Sequence, residues 1–405
     1  MQVETMRKID YYVGVVLCFL GTILFGWFLK KRDGQYKNVL LIELSEMGST
    51  ILADPAMRKL QNELNVNLFF VIFRKNVASL YFLDTVPREN IFTIREDSLW
   101  HLVVDTFRFL IWCRDQKIDT TIDLELFARF PALLTACSGA QNRVGFYAFH
   151  NEGLYRGEFL THKVAYNSHL HTSKNFLALV NALLVNELEV PFSKTEIPDS
   201  EITLTKVKVE SEPQERLVEK IQNVFPSYDL KSQRVVLINP NGSDLLIQRR
   251  WMPEYYIQLI QMILENHTDI VVGITGSPQE KEYTENIRKL VDHERCFNLS
   301  GELQLTELPT LYSLAELMVS NDSGPAHFAS ITDLQVYVFF GPGAPSEYKP
   351  LGSPVVLYSN LACSPCATAW NHRKTPCTDN VCLQVIKPES VYQVLLPQLE
   401  TSRRN

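Results

Sequence analysis

The chain has 405 residues, of which 46% are hydrophobic, and its 39 Lys and Arg residues stand against 46 Asp and Glu residues, giving a formal net charge of −7. This length exceeds one ordinary domain and suits two domains of about 150–200 residues. The acidic balance gives no support to nucleic-acid binding, because proteins that bind nucleic acids neutralise phosphates with Lys and Arg.

An uncharged stretch runs from Tyr11 to Leu29. As an α-helix it would be about 28 Å long, enough to cross the apolar core of a bilayer. The basic run Lys30-Lys31-Arg32 follows directly, and no small-residue cleavage site precedes it, which disfavours a cleavable signal peptide. The sequence therefore predicts one uncleaved N-terminal transmembrane helix and association with a membrane.

The Lys and Arg residues around this stretch predict its orientation. Arg7 and Lys8 precede it, whereas Lys30, Lys31, Arg32 and Lys37 follow it. The positive-inside rule then favours a single-pass protein of the inner (cytoplasmic) membrane with its body in the cytoplasm. A monotopic helix that enters only one leaflet is the alternative, because three glycines weaken the segment: Gly14, Gly21 and Gly26.

After this segment, short apolar stretches alternate with helical patterns, which is typical of a doubly wound parallel sheet. The predicted strands are 38–44, 68–73, 119–124, 235–238, 269–274, 317–320 and 336–340, and the predicted helices include 51–64, 255–265, 283–291 and 308–315. A connection rich in Glu, Pro, Ser and Lys occupies residues 187–215. We predict an anchor over 1–35 and two Rossmann-like domains, 36–215 and 216–405, that face a cleft.

The segment Asn321–Ala329 reads Asn-Asp-Ser-Gly-Pro-Ala-His-Phe-Ala and lies between two predicted strands. Asp322 or Ser323 suits the position that caps a helix, and Pro325 suits its first turn. Such a strand–turn–helix junction directs backbone N–H groups and a helix dipole towards one point, where a diphosphate could bind. An ordinary capped helix is the alternative.

Several short motifs follow one another along the chain in a specific order and spacing. They are Leu41–Gly48, Asn142–Phe146, Arg249–Pro253, Gly276–Glu280, Leu299–Gly301, Asn321–Ala329 and Phe340–Pro342. Through them, residues 38–395 resemble the bacterial heptosyltransferases of glycosyltransferase family nine, which have the two-domain GT-B fold. The resemblance implies transfer of a sugar, typically heptose, with inversion from a nucleotide diphosphate to a hydroxyl of a lipid-linked glycan such as lipopolysaccharide core. It implies no required cofactor, and ADP-heptose as the favoured donor.

The resemblance also implies a set of donor-binding residues. Arg249 occupies the place of a phosphate-contacting Lys in the family, and Glu280 matches an acid that contacts the donor's sugars. The full set is Gly242, Ser243, Arg249, Glu280, Asp322, Ser323, Gly324 and His327. The alternatives are a solvated Arg249, a Glu280 that favours a helix dipole and a structural His327.

The sequence departs from the resemblance at the general base, because Ser49 stands where related heptosyltransferases carry Asp directly after Met-Gly. A serine hydroxyl needs its own base to deprotonate an acceptor. We therefore predict Glu46 and Ser49 as the catalytic pair, with Glu43 and Asp54 as weaker candidates for the base. Arg143 is predicted on the acceptor side. An exposed loop acid is the alternative for Glu46.

The sequence is also compatible with two alternative functions. The chain could use another nucleotide sugar for capsule or another polysaccharide, or it could be a non-catalytic relative that binds glycans or nucleotide sugars and lacks the base. In addition, the spacing of Cys363, Cys366, Cys377 and Cys382 would fit a structural tetrahedral zinc site. A reduced cluster and disulfides are the alternatives to zinc.

Overall fold

The chain divides into two α/β units. The computed structural model describes residues 3–25, 36–150, 153–185, 190–207, 211–242 and 244–401. Unit 1 comprises Met1–Thr203 and Ala369–His372, and unit 2 comprises Leu204–Thr368 and Arg373–Asn405. The chain thus passes from one unit to the other at residues 203–204, ahead of the predicted boundary at 215–216, and returns briefly to unit 1 near its end.

Unit 1 contains a six-stranded parallel sheet in the order β3-β2-β1-β4-β5-β6. Its strands are β1 (Asn38–Ile42), β2 (Asn67–Phe73), β3 (Ile91–Ile94), β4 (Thr120–Asp123), β5 (Asn142–Phe146) and β6 (His162–Val164). The strand order reverses between β1 and β4, and ligands of open α/β sheets bind beyond the carboxyl ends of the strands at such a point.

Seven α-helices belong to the described part of unit 1. They are α1 (Val3–Ile9), α2 (Val15–Phe25), α3 (Met47–Leu64), α4 (Ala78–Tyr81), α5 (Leu99–Asp115), α6 (Phe130–Cys137) and α7 (Thr172–Leu184). Helix α3 begins at Met47, earlier than predicted, and ends at Leu64, because the φ of 50° at the next residue, Asn65, breaks the helix. The early start places the predicted catalytic pair at the first turn of α3.

The N-terminal segment does not form the predicted transmembrane helix. A π-helical turn, Asp10–Gly14, separates α1 from α2. The Asp10 carboxylate accepts hydrogen bonds from the backbone N–H groups of Arg129 and Phe130, at 2.8 and 3.0 Å, where α6 begins. Among the described residues, no helix combines the length and apolar character needed to span a bilayer. The predictions of a membrane-spanning helix and of a single-pass inner-membrane protein were therefore wrong; residues 26–29 of the predicted span lie outside the described ranges.

Small residues explain how this segment packs. Gly14, Cys18 and Gly21 are buried along one side of it, and Cys18 packs against Ala132, Ala136 and Phe159. A Cβ atom at Gly14 would come within 3.1 Å of the Cβ of Arg129. Gly14, one of the glycines that weaken the segment as a membrane helix, therefore allows it to lie directly against the start of α6.

Unit 2 repeats the architecture, with a six-stranded parallel sheet in the order β12-β11-β10-β7-β8-β9. Its strands are β7 (Arg234–Asn239), β8 (Ile270–Ile274), β9 (Cys296–Asn298), β10 (Ala315–Asn321), β11 (Gln335–Phe340) and β12 (Val355–Tyr358). Its helices are α8 (Ser211–Val224), α9 (Pro253–Asn266), α10 (Lys281–Val291), α11 (Leu308–Leu314), α12 (Gly324–Ala329), α13 (Pro345–Tyr348), α14 (Val381–Gln384) and α15 (Pro388–Thr401). The predicted α/β class with two parallel sheets is confirmed.

Candidate active site

In unit 1, the turn that follows β1 brings the two predicted catalytic residues into contact. Glu46 is the last residue before α3, and the Ser49 Oγ donates a hydrogen bond to the Glu46 Oε2 at 3.1 Å. Both side chains are half-buried, so solvent and ligands can reach them. The contact places a carboxylate oxygen directly beside the Ser49 hydroxyl. The predicted reaction needs a proton acceptor at this turn, and a carboxylate can serve as one.

Two buried acids that the sequence analysis did not select lie at the same end of the sheet. The Glu125 Oε1 accepts hydrogen bonds from the N–H groups of Leu44 and Ser45, both at 3.1 Å, and so fixes the turn after β1. Burial, and then the nearby Glu46 carboxylate, raises the pKa of Glu125. The available signal was positional, because Glu125 follows directly on the predicted strand 119–124.

The second buried acid, Asp123, ends β4 and pairs with Arg156. The Asp123 Oδ2 accepts a hydrogen bond from the Arg156 Nη2 at 2.6 Å, and Arg156 also donates to the carbonyls of Glu125 and Ala128. Burial raises the pKa of Asp123 to about 6, although the nearby Arg156 opposes the shift. The pair closes one wall of a cavity of about 270 Å³ that is also lined by Phe146, Tyr147, Tyr155, Glu158 and Phe159.

Arg143, the predicted acceptor-side residue, donates side-chain hydrogen bonds to backbone carbonyls. It is buried near the start of β5, and its guanidinium donates to the carbonyls of Phe159 and Ala140, both at 2.6 Å, and of Gln141 at 3.2 Å. Burial lowers its pKa to about 10. These bonds give Arg143 a structural role, which is to hold the backbone around β5. Its contact with an acceptor stays a prediction.

The two weaker base candidates are both buried. Glu43 lies directly after β1 and is 3% exposed. Asp54 lies within α3, where it accepts hydrogen bonds from Arg58 at 2.9 Å and Thr85 at 2.5 Å. Burial raises the pKa of Asp54. Glu46 is thus more accessible than either alternative.

In unit 2, one buried amide connects the turns after β7 and β10. The Asn321 Nδ2 donates to the carbonyls of Pro240 and Asn241, at 2.9 and 3.0 Å. Its Oδ1 accepts from the Trp251 backbone N–H and the Tyr256 hydroxyl, both at 3.0 Å. Asn321 belongs to the predicted diphosphate-binding motif, but no role for its side chain was predicted. The structure shows that it fixes both turns and the segment that follows Arg249.

We expect Asn321→Leu to lower the free energy of unfolding by about 3 kcal/mol or more, because it leaves several buried polar groups without a partner. Urea unfolding followed by tryptophan fluorescence measures the change. The control is Asn266→Leu at an exposed position of α9, which we expect to stay within about 0.5 kcal/mol of the parent. Equal unfolding midpoints for the two variants would contradict the structural role of Asn321.

The predicted phosphate-binding arginine faces the predicted turn within unit 2. The Arg249 Nε lies 3.4 Å from the Asp322 Oδ2, and both side chains are mostly buried. Asp322 can hold this position because residue 343 is glycine, since a Cβ atom there would lie 2.9 Å from the same oxygen. The carboxylate therefore forms an ion pair with Arg249 without a hydrogen bond between the Nε and Oδ2 atoms, which differs from the helix-capping role considered for it.

Other predicted donor-binding residues lie in the turns after β7 and β10. Gly242 lies under Arg250, whose Nε donates to its carbonyl at 3.0 Å, so Arg250 shapes the turn. Ser243 lies outside the described residues. Ser323 takes the N-cap position of α12 without a side-chain capping bond, and Gly324 begins that helix. Their contact with a donor stays a prediction.

Glu280 and His327 lie at a helix start and within a short helix, respectively. The Glu280 Oε2 accepts a hydrogen bond from the Ser277 N–H at 2.7 Å, which completes a reciprocal cap before α10. His327 is buried in α12. Glu280 thus lies at a helix N-terminus, as its alternative of favouring the helix dipole described, and its contact with a donor stays a prediction.

The four C-terminal cysteines lie beside the Arg249 segment. The carbonyl of Cys377 accepts a hydrogen bond from Gln248, and Asn380 donates to the carbonyl of Arg250. All eight cysteines of the chain are free thiols, and burial raises the pKa of Cys382 to about 11, with its neighbouring cysteines adding to the shift. No group of His, Cys, Asp or Glu in the described part of the chain is arranged to hold a metal ion. The zinc prediction for Cys363, Cys366, Cys377 and Cys382 therefore receives no support.

Residues 114–375 match the family model of glycosyltransferase family 9 (heptosyltransferase), which is more than half of the chain. The chain belongs to glycosyltransferase family 9. Its family membership confirms the resemblance that the motifs indicated.

The family 9 chain is similar to lipooligosaccharide heptosyltransferase 2 of Haemophilus influenzae, with 25% identity over 193 residues that cover 44% of this chain and 55% of the relative. It is 28% identical over 127 residues to lipopolysaccharide heptosyltransferase 2 of Salmonella typhimurium, covering 31% of this chain and 36% of the relative. These matches span about half or less of the curated relatives.

The fold of the family 9 chain is similar to that of the solved E. coli ADP-heptose lps heptosyltransferase II. The TM-score is 0.70 at 17% sequence identity, over 90% of this chain and 99% of that chain. A second solved structure, E. coli heptosyltransferase WaaC with ADP-2-deoxy-2-fluoro heptose, gives a TM-score of 0.61 at 15% identity over 89% of this chain. These likenesses support the GT-B-like α/β fold.

Proposed function

We propose that this chain is an inverting glycosyltransferase that moves heptose from ADP-heptose to a hydroxyl of a lipid-linked glycan, such as the core of lipopolysaccharide. Family membership and the heptosyltransferase names of its relatives support the reaction class and the sugar, and the solved relative named for ADP-heptose supports the choice of nucleotide. The observation that carries the proposal is the 3.1 Å contact between Ser49 and Glu46. It supplies a carboxylate at the turn where the aspartate of related heptosyltransferases is missing.

In the proposed reaction, the Glu46 carboxylate removes the proton of the acceptor hydroxyl as its oxygen attacks the anomeric carbon of the donor. The bond from that carbon to the diphosphate oxygen breaks at the same time, and ADP leaves with the bonding electrons. General bases of this kind contribute about 10²–10⁴-fold to rate. Ser49 would orient the carboxylate through its hydrogen bond, and Glu125 would fix the turn that carries it.

Unit 2 would bind the donor. The negative charge that develops on the departing diphosphate needs cationic and N–H donors for its stabilisation. Arg249 offers a planar set of donors, and its pairing with Asp322 limits its conformations before the donor arrives. The turns that Asn321 connects would supply backbone N–H groups. The assignment is thus supported by Arg249, which is paired with Asp322, and by the turns after β7 and β10, which Asn321 holds in place.

Binding of nucleotides to the full chain tests the donor directly. We expect ADP to raise the melting temperature in EDTA more than UDP, GDP or CMP, because a ligand stabilises the folded state in proportion to RT ln(1 + [L]/Kd). A larger shift with UDP, GDP or CMP would move the donor to another class of nucleotide sugar. No shift with any of the four would contradict a nucleotide-sugar transferase and favour the non-catalytic alternative.

A further inference from the structure

The segment that packs on α6 leaves its largest apolar side chains outside. Nine of them are between 46% and 69% exposed: Tyr11, Tyr12, Val13, Val16, Leu17, Phe19, Leu20, Ile23 and Leu24. The buried side holds small residues, Gly14, Cys18 and Gly21. A helix at the surface of a protein in water normally buries its large apolar residues and exposes polar ones. This segment does the reverse, which indicates that another apolar phase covers it.

The width of the exposed arc indicates which phase. In α2, with 3.6 residues per turn, Val16, Leu17, Phe19, Leu20, Ile23 and Leu24 spread over about 160° of the helix circumference. A helix that packs against protein needs an apolar stripe of about 100°. Lipid chains contact every outward direction of a helix, so they suit a wider arc than a protein groove does. The arc therefore favours lipid over a partner helix or groove.

A second exposed apolar face lies on α5, which belongs to the same side of the unit 1 sheet. Leu99, Trp100, Val103, Phe107 and Ile111 are between 41% and 72% exposed and recur at helical spacing. Helices α2 and α5 both contact α6, and Met6 of α1 packs on the cluster that contains Phe109 of α5. We call the fourteen exposed residues on these two helical segments the apolar face.

The charges around the apolar face are those of an interfacial surface. Arg7, Arg108 and Arg114 are exposed on the helices that carry it. Asp10 is hydrogen-bonded at the start of α6, and Asp105 pairs with Arg95 at 2.7 Å on the buried side of α5. Among the described side chains near the face, Asp97 and Asp115 are exposed at the two ends of α5, and Glu158 is exposed beside Thr22 of α2. Tyr and Trp side chains together with cations at an apolar surface are typical of segments that lie in the headgroup region of anionic membranes.

We propose that the apolar face docks unit 1 on the surface of an anionic lipid bilayer and enters one leaflet without crossing it. The docking itself does not depend on transferase activity. Its consequence for the acceptor rests on the proposed function. The Thr22 Oγ1 of α2 accepts a hydrogen bond from the Glu158 N–H at 3.0 Å and lies 3.2 Å from the Tyr155 hydroxyl, and both partners line the 270 Å³ cavity. A lipid-linked glycan held in that leaflet would meet the cavity at the edge of the apolar face.

Flotation of the full chain with vesicles tests the docking. The vesicles contain phosphatidylethanolamine and phosphatidylglycerol. We expect the parent protein to float with them and Ile23→Asp and Phe107→Asp each to reduce the bound fraction about tenfold or more, because each places a charge in the apolar boundary. Leu290→Asp is the matched control, since Leu290 is 56% exposed on α10 of unit 2, against 63% and 65% for Ile23 and Phe107. We expect it to bind as the parent does.

Two outcomes would overturn the proposal. Either both variants float as the parent does, or the parent does not float and instead sediments as a dimer that Ile23→Asp dissociates, which would assign the face to a second copy of the chain. Transfer to a delipidated oligosaccharide separates docking from catalysis. Docking variants that keep this activity and lose vesicle binding support the proposal. Intact flotation without any transfer would leave docking in place and contradict only the proposed function.

Discussion

Replacing Arg249 by Ala should lower heptose transfer from ADP-heptose by about two to three orders of magnitude, which is the usual effect of removing one donor that stabilises a developing oxyanion. In unit 2, Arg249 lies 3.4 Å from Asp322 and beside turns that Asn321 fixes. Its loss removes the cation and leaves the buried Asp322 carboxylate near the diphosphate. Steady-state kinetics with varied donor measures the change, and we expect kcat to fall together with a weaker thermal shift by ADP.

Two further variants make the Arg249 result specific. Arg249→Lys keeps the charge but loses the planar fork, so we expect an intermediate rate. Arg288→Ala removes an arginine on α10 of the same unit whose partner is Glu285 at 2.7 Å, and we expect the rate to change by less than about twofold because ion pairs near the surface contribute little. Equal rates for Arg249→Ala and Arg288→Ala would contradict the donor assignment.

Replacing Glu46 by Gln should reduce kcat by about 10²–10⁴-fold, because the amide cannot accept the acceptor's proton. The substitution keeps the size of the side chain, and an oxygen remains that can accept the Ser49 hydrogen bond. Binding of ADP to unit 2 should therefore not change. Measuring kcat and the ADP thermal shift on the same variant separates loss of the base from loss of the fold.

The chain offers a control and a rescue for this prediction. Glu63→Gln lies on the same helix, where the Glu63 side chain is 48% exposed, and should leave the rate unchanged. In the double variant with Glu46→Gln and Ser49→Asp, the carboxylate moves to the position where related heptosyltransferases carry it, and we expect at least a partial return of activity. Full activity of Glu46→Gln alone would exclude Glu46 as the base.

The sheets were predictable because buried parallel strands read as continuous apolar runs. β1, β2, β7 and β8 lie within a residue or two of their predicted bounds, and so does α9. Helix α3 was placed too late because nothing in the sequence marks Glu46 as its last non-helical residue. Local patterns thus gave the elements, while helix starts depended on tertiary contacts.

The N-terminal segment shows that composition alone did not predict its structure correctly. Its uncharged run has the length of a membrane helix, but Asp10 and Cys18 make specific contacts with α6 that no local pattern reveals. The same limit applies to the site. Glu46 and Ser49 are three residues apart, so helical geometry could predict their contact, whereas Asn321 and Arg156 act through partners distant in sequence. Their roles required the fold.

The central claim is most directly tested by incubating the purified full chain with ADP-heptose and heptose-deficient lipopolysaccharide and following the acceptor by mass spectrometry. We expect a product heavier by one heptose residue and an equal amount of released ADP, and we expect neither with Glu46→Gln. An acceptor of unchanged mass, in the presence of a protein that binds ADP, would contradict heptosyl transfer to this class of glycan.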